Sequence, residues 1–97
     1  MIFDLVEIGD VININWWVNC HTYKTETDVK ALIIYKGPRQ YESISVNDSV
    51  MAILSTNEGP ADIHWLRHKS EVDAGIMSHF TIVDHGVDEI QFRLMYQ

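Results

Sequence analysis

The chain opens on a run of strand-forming residues, Ile2 to Ile8, and after Gly9-Asp10 enters a second, Val11-Ile12-Asn13-Ile14-Asn15-Trp16-Trp17-Val18. Two such runs around a short glycine-containing break predict a β-hairpin. Successive side chains of a strand point to opposite faces, so Ile12, Ile14, Trp16 and Val18 belong on the core side and Asn13, Asn15 and Trp17 on the other. Trp17 is then an exposed indole on a polar face, where a tryptophan either covers the sheet or anchors a partner.

Asn19 to Thr27 is polar and holds Cys20, His21, Lys24 and Glu26 in a loop. Asp28 to Tyr35 fits two patterns. One is a short helix capped by Thr25 or Thr27 and stopped by Gly37-Pro38; the other is a buried strand of Val29, Ala31, Ile33 and Tyr35. The helix is the reading adopted. Gln40 to Val46 suits a short strand, and Asn47 or Asp48 suits the cap of a helix over Ser49 to Ser55, ended by Thr56-Asn57-Glu58-Gly59. Pro60 opens a further amphipathic helix in which Ile63, Leu66 and Val72 fall near helical spacing before Gly75. Ile76 to Val83 and Val87 to Tyr96 flank Asp84-His85-Gly86, the pattern of a second hairpin, with Ile90, Phe92, Leu94 and Tyr96 alternating with Glu89, Gln91, Arg93 and Met95. The expected fold is α+β: N-terminal and C-terminal hairpins in an antiparallel sheet, with two or three short helices between them.

Length makes residues 1–97 a single domain, since dividing 97 residues leaves neither part enough apolar surface for a core. Three Trp, four Tyr and three Phe within a 46% hydrophobic composition supply that core and exclude a disordered acidic tail. The single cysteine, Cys20, allows no internal disulfide. With no basic leader and no apolar run approaching the roughly 18 residues of a membrane span, the expected location is the cytoplasm. Asn47-Asp48-Ser49 matches a glycosylation acceptor, but in that setting it reads as a helix cap.

Charge narrows the function further. Fourteen acidic side chains face seven basic ones, for a net charge of −7. Affinity for DNA or RNA comes largely from Lys and Arg on phosphates, so direct nucleic-acid binding is disfavoured and basic protein surfaces are attracted instead. The excess lies in the second part of the chain: residues 1–46 carry −2 and residues 47–97 carry −5. There Glu58, Asp62, Glu71, Asp73, Asp84, Asp88 and Glu89 fall in predicted loops, turns and helix ends. Carboxylates two apart on a strand, or three to four apart on a helix, are separated by roughly 5 to 7 Å, close to the phosphate repeat of one nucleic-acid strand. Glu71 and Asp73, in a predicted last helical turn, oppose the helix dipole, a broken local rule of the kind that marks function.

Catalytic chemistry finds less support. His64 and His68 are four apart on a predicted helix, a spacing that offers zinc two nitrogens, with His79 or His85 as a third ligand; yet Trp65 stands where a zincin needs its glutamate. Cys20-His21 are adjacent, whereas catalytic thiol–imidazole pairs meet in space. Phosphate loops, serine elbows and paired carboxylates in a pocket are absent from the sequence. The expectation is a non-enzymatic binding protein with no metal and no cofactor, the alternative enzyme being a small His-dependent metal hydrolase.

Small size, a lone domain, strong acidity and the lack of an enzymatic motif together resemble the small acidic anti-CRISPR proteins with which phages inhibit type I-F systems by mimicking DNA. The resemblance covers the whole chain in kind and rests on no signature motif. It implies docking on the basic DNA-binding surface of an RNA-guided surveillance complex, formed by its large subunit and backbone subunits, so that target DNA is blocked. Glu58, Asp62, Glu71, Asp73, Asp84, Asp88, Glu89, Glu26 and Asp28 would then meet Lys and Arg of the partner, with Trp17, Tyr23 or Tyr41 as a central anchor. An immunity protein or antitoxin held against a basic nuclease is the alternative binding role.

Overall fold

The computed structural model describes residues 2–18, 24–41, 43–56, 61–66 and 79–96. Their elements run α1 (Ile2–Leu5), β1 (Val11–Val18), β2 (Thr25–Tyr41), β3 (Ile44–Ser55), β4 (Asp62–Leu66), β5 (Phe80–Asp84) and α2 (Glu89–Met95). The strands form one antiparallel sheet in the order β4-β3-β2-β1-β5. This mostly β architecture overturns the expectation of hairpins separated by two or three helices.

The largest correction is at the centre. Asp28 to Tyr35 lies within β2, and Ser49 to Ser55 lies within β3. Both sides of these strands are buried: Val29, Ala31 and Ile33 join the core on one face, with Val50, Ala52 and Leu54, while Leu32 and Ile53 join a second core on the other. A strand covered on both faces loses the apolar–polar alternation that identifies it in sequence and reads as a continuous hydrophobic run. Asp48, expected as a helix cap, instead has φ +60 within β3. Aspartate tolerates this left-handed conformation better than most residues, and the β2–β3 register shifts nearby, between Gly37 and Arg39. His64 and Leu66 sit on β4 rather than on a helix; the rest of that predicted helix, 67–75, lies outside the described residues.

Both ends are helical where strands were expected. Ile2 and Val6 are buried together and Val6 N donates to Ile2 O at 3.2 Å, a spacing of four rather than two. At the other end α2 replaces the predicted strand Val87 to Tyr96. Asp88 caps it, accepting from Gln91 N at 2.8 Å while Gln91 Oε1 accepts from Asp88 N at 3.0 Å. This reciprocal capping box satisfies two otherwise orphaned donors. Phe92 is the fully buried residue of α2, whereas Ile90 and Leu94, which completed the misleading alternation, are 73% and 81% exposed. The expected first strand of this hairpin is present in part, as β5, with 76–78 outside the described residues.

α1 packs against β3 on the face of Ile12 and Ile14, and α2 packs against β2 on the face of Val11, Leu32 and Ile53. The sheet curls around the first of these faces. Trp17 on β1 and His64 on β4 meet edge-on with centroids 5.2 Å apart, across two intervening strands. A flat sheet would hold those strands about 14 Å apart.

Trp17 is the second correction, because it is only 4% exposed and belongs to the core with Ile12 and Ile14. Asp28, between the register pairs Ile14↔Val29 and Trp16↔Thr27, has φ +54. Beyond this point the inward side of β1 changes, so that Trp17 faces the core and Trp16 is half-buried.

Candidate protein-docking site

Two turns far apart in sequence come together at the Val11 end of the sheet. The first joins α1 to β1 through Gly9, whose φ of +94 favours a residue without Cβ. Gly9 N donates to Ile33 O at 2.9 Å and Ile33 N donates to Asp10 O at 2.9 Å, which docks the turn onto β2. The second joins β5 to α2. There Val87 N donates to Gly9 O at 2.9 Å, fastening one turn to the other.

Asp10 is the tie between them. Its side chain is 5% exposed, its Oδ2 accepts from Glu7 N at 2.9 Å, and its Oδ1 lies 2.7 Å from His85 Nδ1. An ionised carboxylate only accepts, so the imidazole nitrogen facing it carries the hydrogen. His85 N also donates to Asp84 Oδ1 at 2.8 Å. Each buried oxygen of Asp10 therefore has a donor, which is what makes burial of the group tolerable.

The two turns display carboxylates around this tie. Asp88 and Glu89 are exposed and Asp84 is half-buried, and Glu7, at 81% exposure, stands beside them on the first turn. Glu7 lies 3.6 Å from Lys36, which also sits 4.6 Å over the Phe3 ring. Glu89 accepts from Arg93 Nε at 3.1 Å, and Arg93 Nη1 donates to Ala61 O at 3.1 Å. The two carboxylates stay largely in water, at 81% and 56% exposure, although their basic partners are more buried. No lysine or arginine among the described residues pairs with Asp84 or Asp88.

The expected acidic set is thus divided. Asp84, Asp88 and Glu89 are brought together. Asp28 is exposed at the opposite end of the sheet, accepting from Asn13 Nδ2 at 3.2 Å beside Lys30, whose Nζ donates to Asn13 Oδ1 at 2.6 Å. Glu26, paired in register with Trp17, is 6% exposed and presents no charge to a partner; Trp17 likewise offers no surface anchor. Asp62 begins β4. Glu58, Glu71, Asp73, Tyr23, Cys20, His21 and His68 lie outside the described residues. The helical face proposed for His64 and His68 does not form, since His64 is on a strand, and among the described residues no group of three His, Cys, Asp or Glu is arranged to hold a metal. Glu7 and Asp10 were not legible as site residues, and His85 was legible only as a candidate third zinc ligand. Glycines at 9 and 86 mark their turns, but the contact spans 75 positions.

Among the described residues the fold is a curled, five-stranded antiparallel sheet with a short helix on each face and an acidic end. No family model, curated protein or solved structure matches the chain. Among the described residues no helix is long and apolar enough to cross a membrane.

Proposed function

We propose that this protein is a non-enzymatic acidic binding module that occupies a basic, nucleic-acid-binding surface of a partner and excludes nucleic acid from it. The observation that carries this reading is the gathering of Glu7, Asp84, Asp88 and Glu89 on two turns held together by the contact of the buried Asp10 with the exposed His85. Surface carboxylates on mobile loops lose side-chain and backbone freedom when they bind; on anchored turns that cost is lower, and their field steers a basic partner into place. The partner that best suits such a surface, and the one the resemblance implies, is the large subunit of a type I-F CRISPR surveillance complex with its backbone subunits, in a bacterial cytoplasm. Lys and Arg that normally hold target DNA would pair with these carboxylates through charge-assisted hydrogen bonds.

The reading requires an association that weakens steeply with salt, because exposed charges separated by more than a Debye length of about 10 Å at 0.1 M are screened. Titration of the surveillance complex by biolayer interferometry at low and high ionic strength is expected to show an association rate at least about tenfold lower at high salt. An unchanged rate argues for an apolar interface elsewhere on the chain.

A further inference from the structure

α2 carries apolar side chains on two opposite sides. Phe92 points into the sheet and is fully buried. A helix turns by about 100° per residue, so Ile90 and Leu94, two positions before and after Phe92, each fall within about 20° of the direction opposite to it. They stand one turn apart on the crest of the helix. Among the described residues these are the two most exposed large hydrophobic side chains, and Met95, next to Leu94, is more than half exposed as well.

One flank of this ridge carries charge in a fixed order. Glu89 in the first turn and Arg93 in the last lie on the same side of the helix, with Arg93 Nε donating to Glu89 Oε1 at 3.1 Å. Arg93 Nη1 donates to Ala61 O at 3.1 Å, which steadies the flank against the start of β4. A guanidinium has five N–H donors and a carboxylate two oxygens. Among the described residues Arg93 Nη2 and Glu89 Oε2 take no further partner.

Such a ridge is complementary to itself. When two copies meet crest to crest and antiparallel about a two-fold axis, Ile90 of each lies beside Leu94 of the other, and Glu89 of each faces Arg93 of the other on the same flank. The helix dipoles then also run in opposite directions. A uniformly basic surface, the match for the acidic end, would meet Arg93 with like charge, and the net charge of −7 repels anionic membranes and nucleic acid. A second copy answers both the apolar crest and the two signs beside it. We infer that the Ile90–Leu94 ridge of α2 is a self-association surface through which two copies of this chain pair as an antiparallel, two-fold dimer. Ridges of so few side chains bury less than the roughly 800 Å² per partner of a standard interface, so the dimer is weak and forms as concentration rises. The inference stands apart from the function proposed for the acidic end and does not depend on it.

The test is sedimentation equilibrium of the full chain up to about 1 mM, with NMR of the 15N-labelled chain on dilution, in about 0.15 M salt, whose screening length of about 8 Å mutes the long-range repulsion between two such chains but spares pairs in contact. The average mass should climb from 11.2 kDa toward twice that value, and the dilution shifts should centre on the amides of Ile90 to Met95. An Ile90→Gln, Leu94→Gln chain, altered at two exposed positions where glutamine suits a helix, should associate at least about tenfold more weakly. Charge pairing is read by mixing. Arg93→Glu and Glu89→Arg chains should each associate more weakly than the wild type, and an equal mixture at least about tenfold more tightly than either alone. A wild-type mass of 11.2 kDa throughout, a glutamine variant that associates as well as the wild type, shifts centred away from α2, or a mixture no tighter than its components overturns the assignment. The wild-type and glutamine measurements decide the matter even if Arg93→Glu, which loses the bond to Ala61 O, fails to fold.

Discussion

Phe92→Ala is expected to lower the stability of the domain by about 3 to 5 kcal/mol, the usual cost of truncating a fully buried phenylalanine. Phe92 has no exposed surface, lies 5.1 Å from the Tyr96 ring between centroids, and packs with Val11, Leu32 and Ile53. α2 has seven residues, too few to persist without a packed face. Losing Phe92 therefore releases the helix as well as opening a cavity. Small domains have only about 5 to 15 kcal/mol to lose, so the urea midpoint should fall by a large fraction of its original value. The same variant displaces Asp88 and Glu89 from the acidic end and should weaken partner binding in step. A loss below about 1 kcal/mol would mean that α2 does not cover this face of the sheet in solution.

A fourfold isosteric variant, Glu7→Gln, Asp84→Asn, Asp88→Asn and Glu89→Gln, should bind the partner about a hundredfold more weakly, mainly through a slower association rate, with little change in stability. The substitutions are chosen to keep the local structure. Asparagine caps a helix about as well as aspartate, so Asn at 88 can still accept from Gln91 N. At 84 the side-chain oxygen can still accept from His85 N. What is removed is charge. Surface plasmon resonance for binding and urea denaturation for stability separate the two effects: full affinity with four charges gone would move the docking surface to another part of the molecule.

The β1–β5 side of the sheet was largely legible in the sequence, and β2, β3 and β4 were not. β1 and the Asp84-His85-Gly86 turn follow directly from alternation and turn chemistry. β2 and β3 do not, because helices on both faces bury both sides of each strand and erase the period of two. Leu32 between Ala31 and Ile33 is apolar for the same reason that each of its neighbours is. α2 deceived in the opposite way: exposed Ile90 and Leu94 completed an alternation with buried Phe92, although Asp88 and Gln91, three apart, already spelled a capping box. The acidic end was legible only in half. Asp84, Asp88 and Glu89 are close in sequence, but their tie to Asp10 depends on β1 and β5 pairing from Val11↔Asp84 onward, which local patterns do not encode. Glu26 and Trp17 were misassigned together, since the altered inward side of β1 beyond Asn15 buries the two register partners as a pair.

The central claim is that the acidic end takes the place of nucleic acid, and it is tested most directly by competition. Labelled target DNA is added to a type I-F surveillance complex first saturated with the wild-type chain, and separately to one incubated with the fourfold variant. DNA should be excluded in the first case and bound normally in the second. DNA and the wild-type chain residing on the complex together would contradict the account.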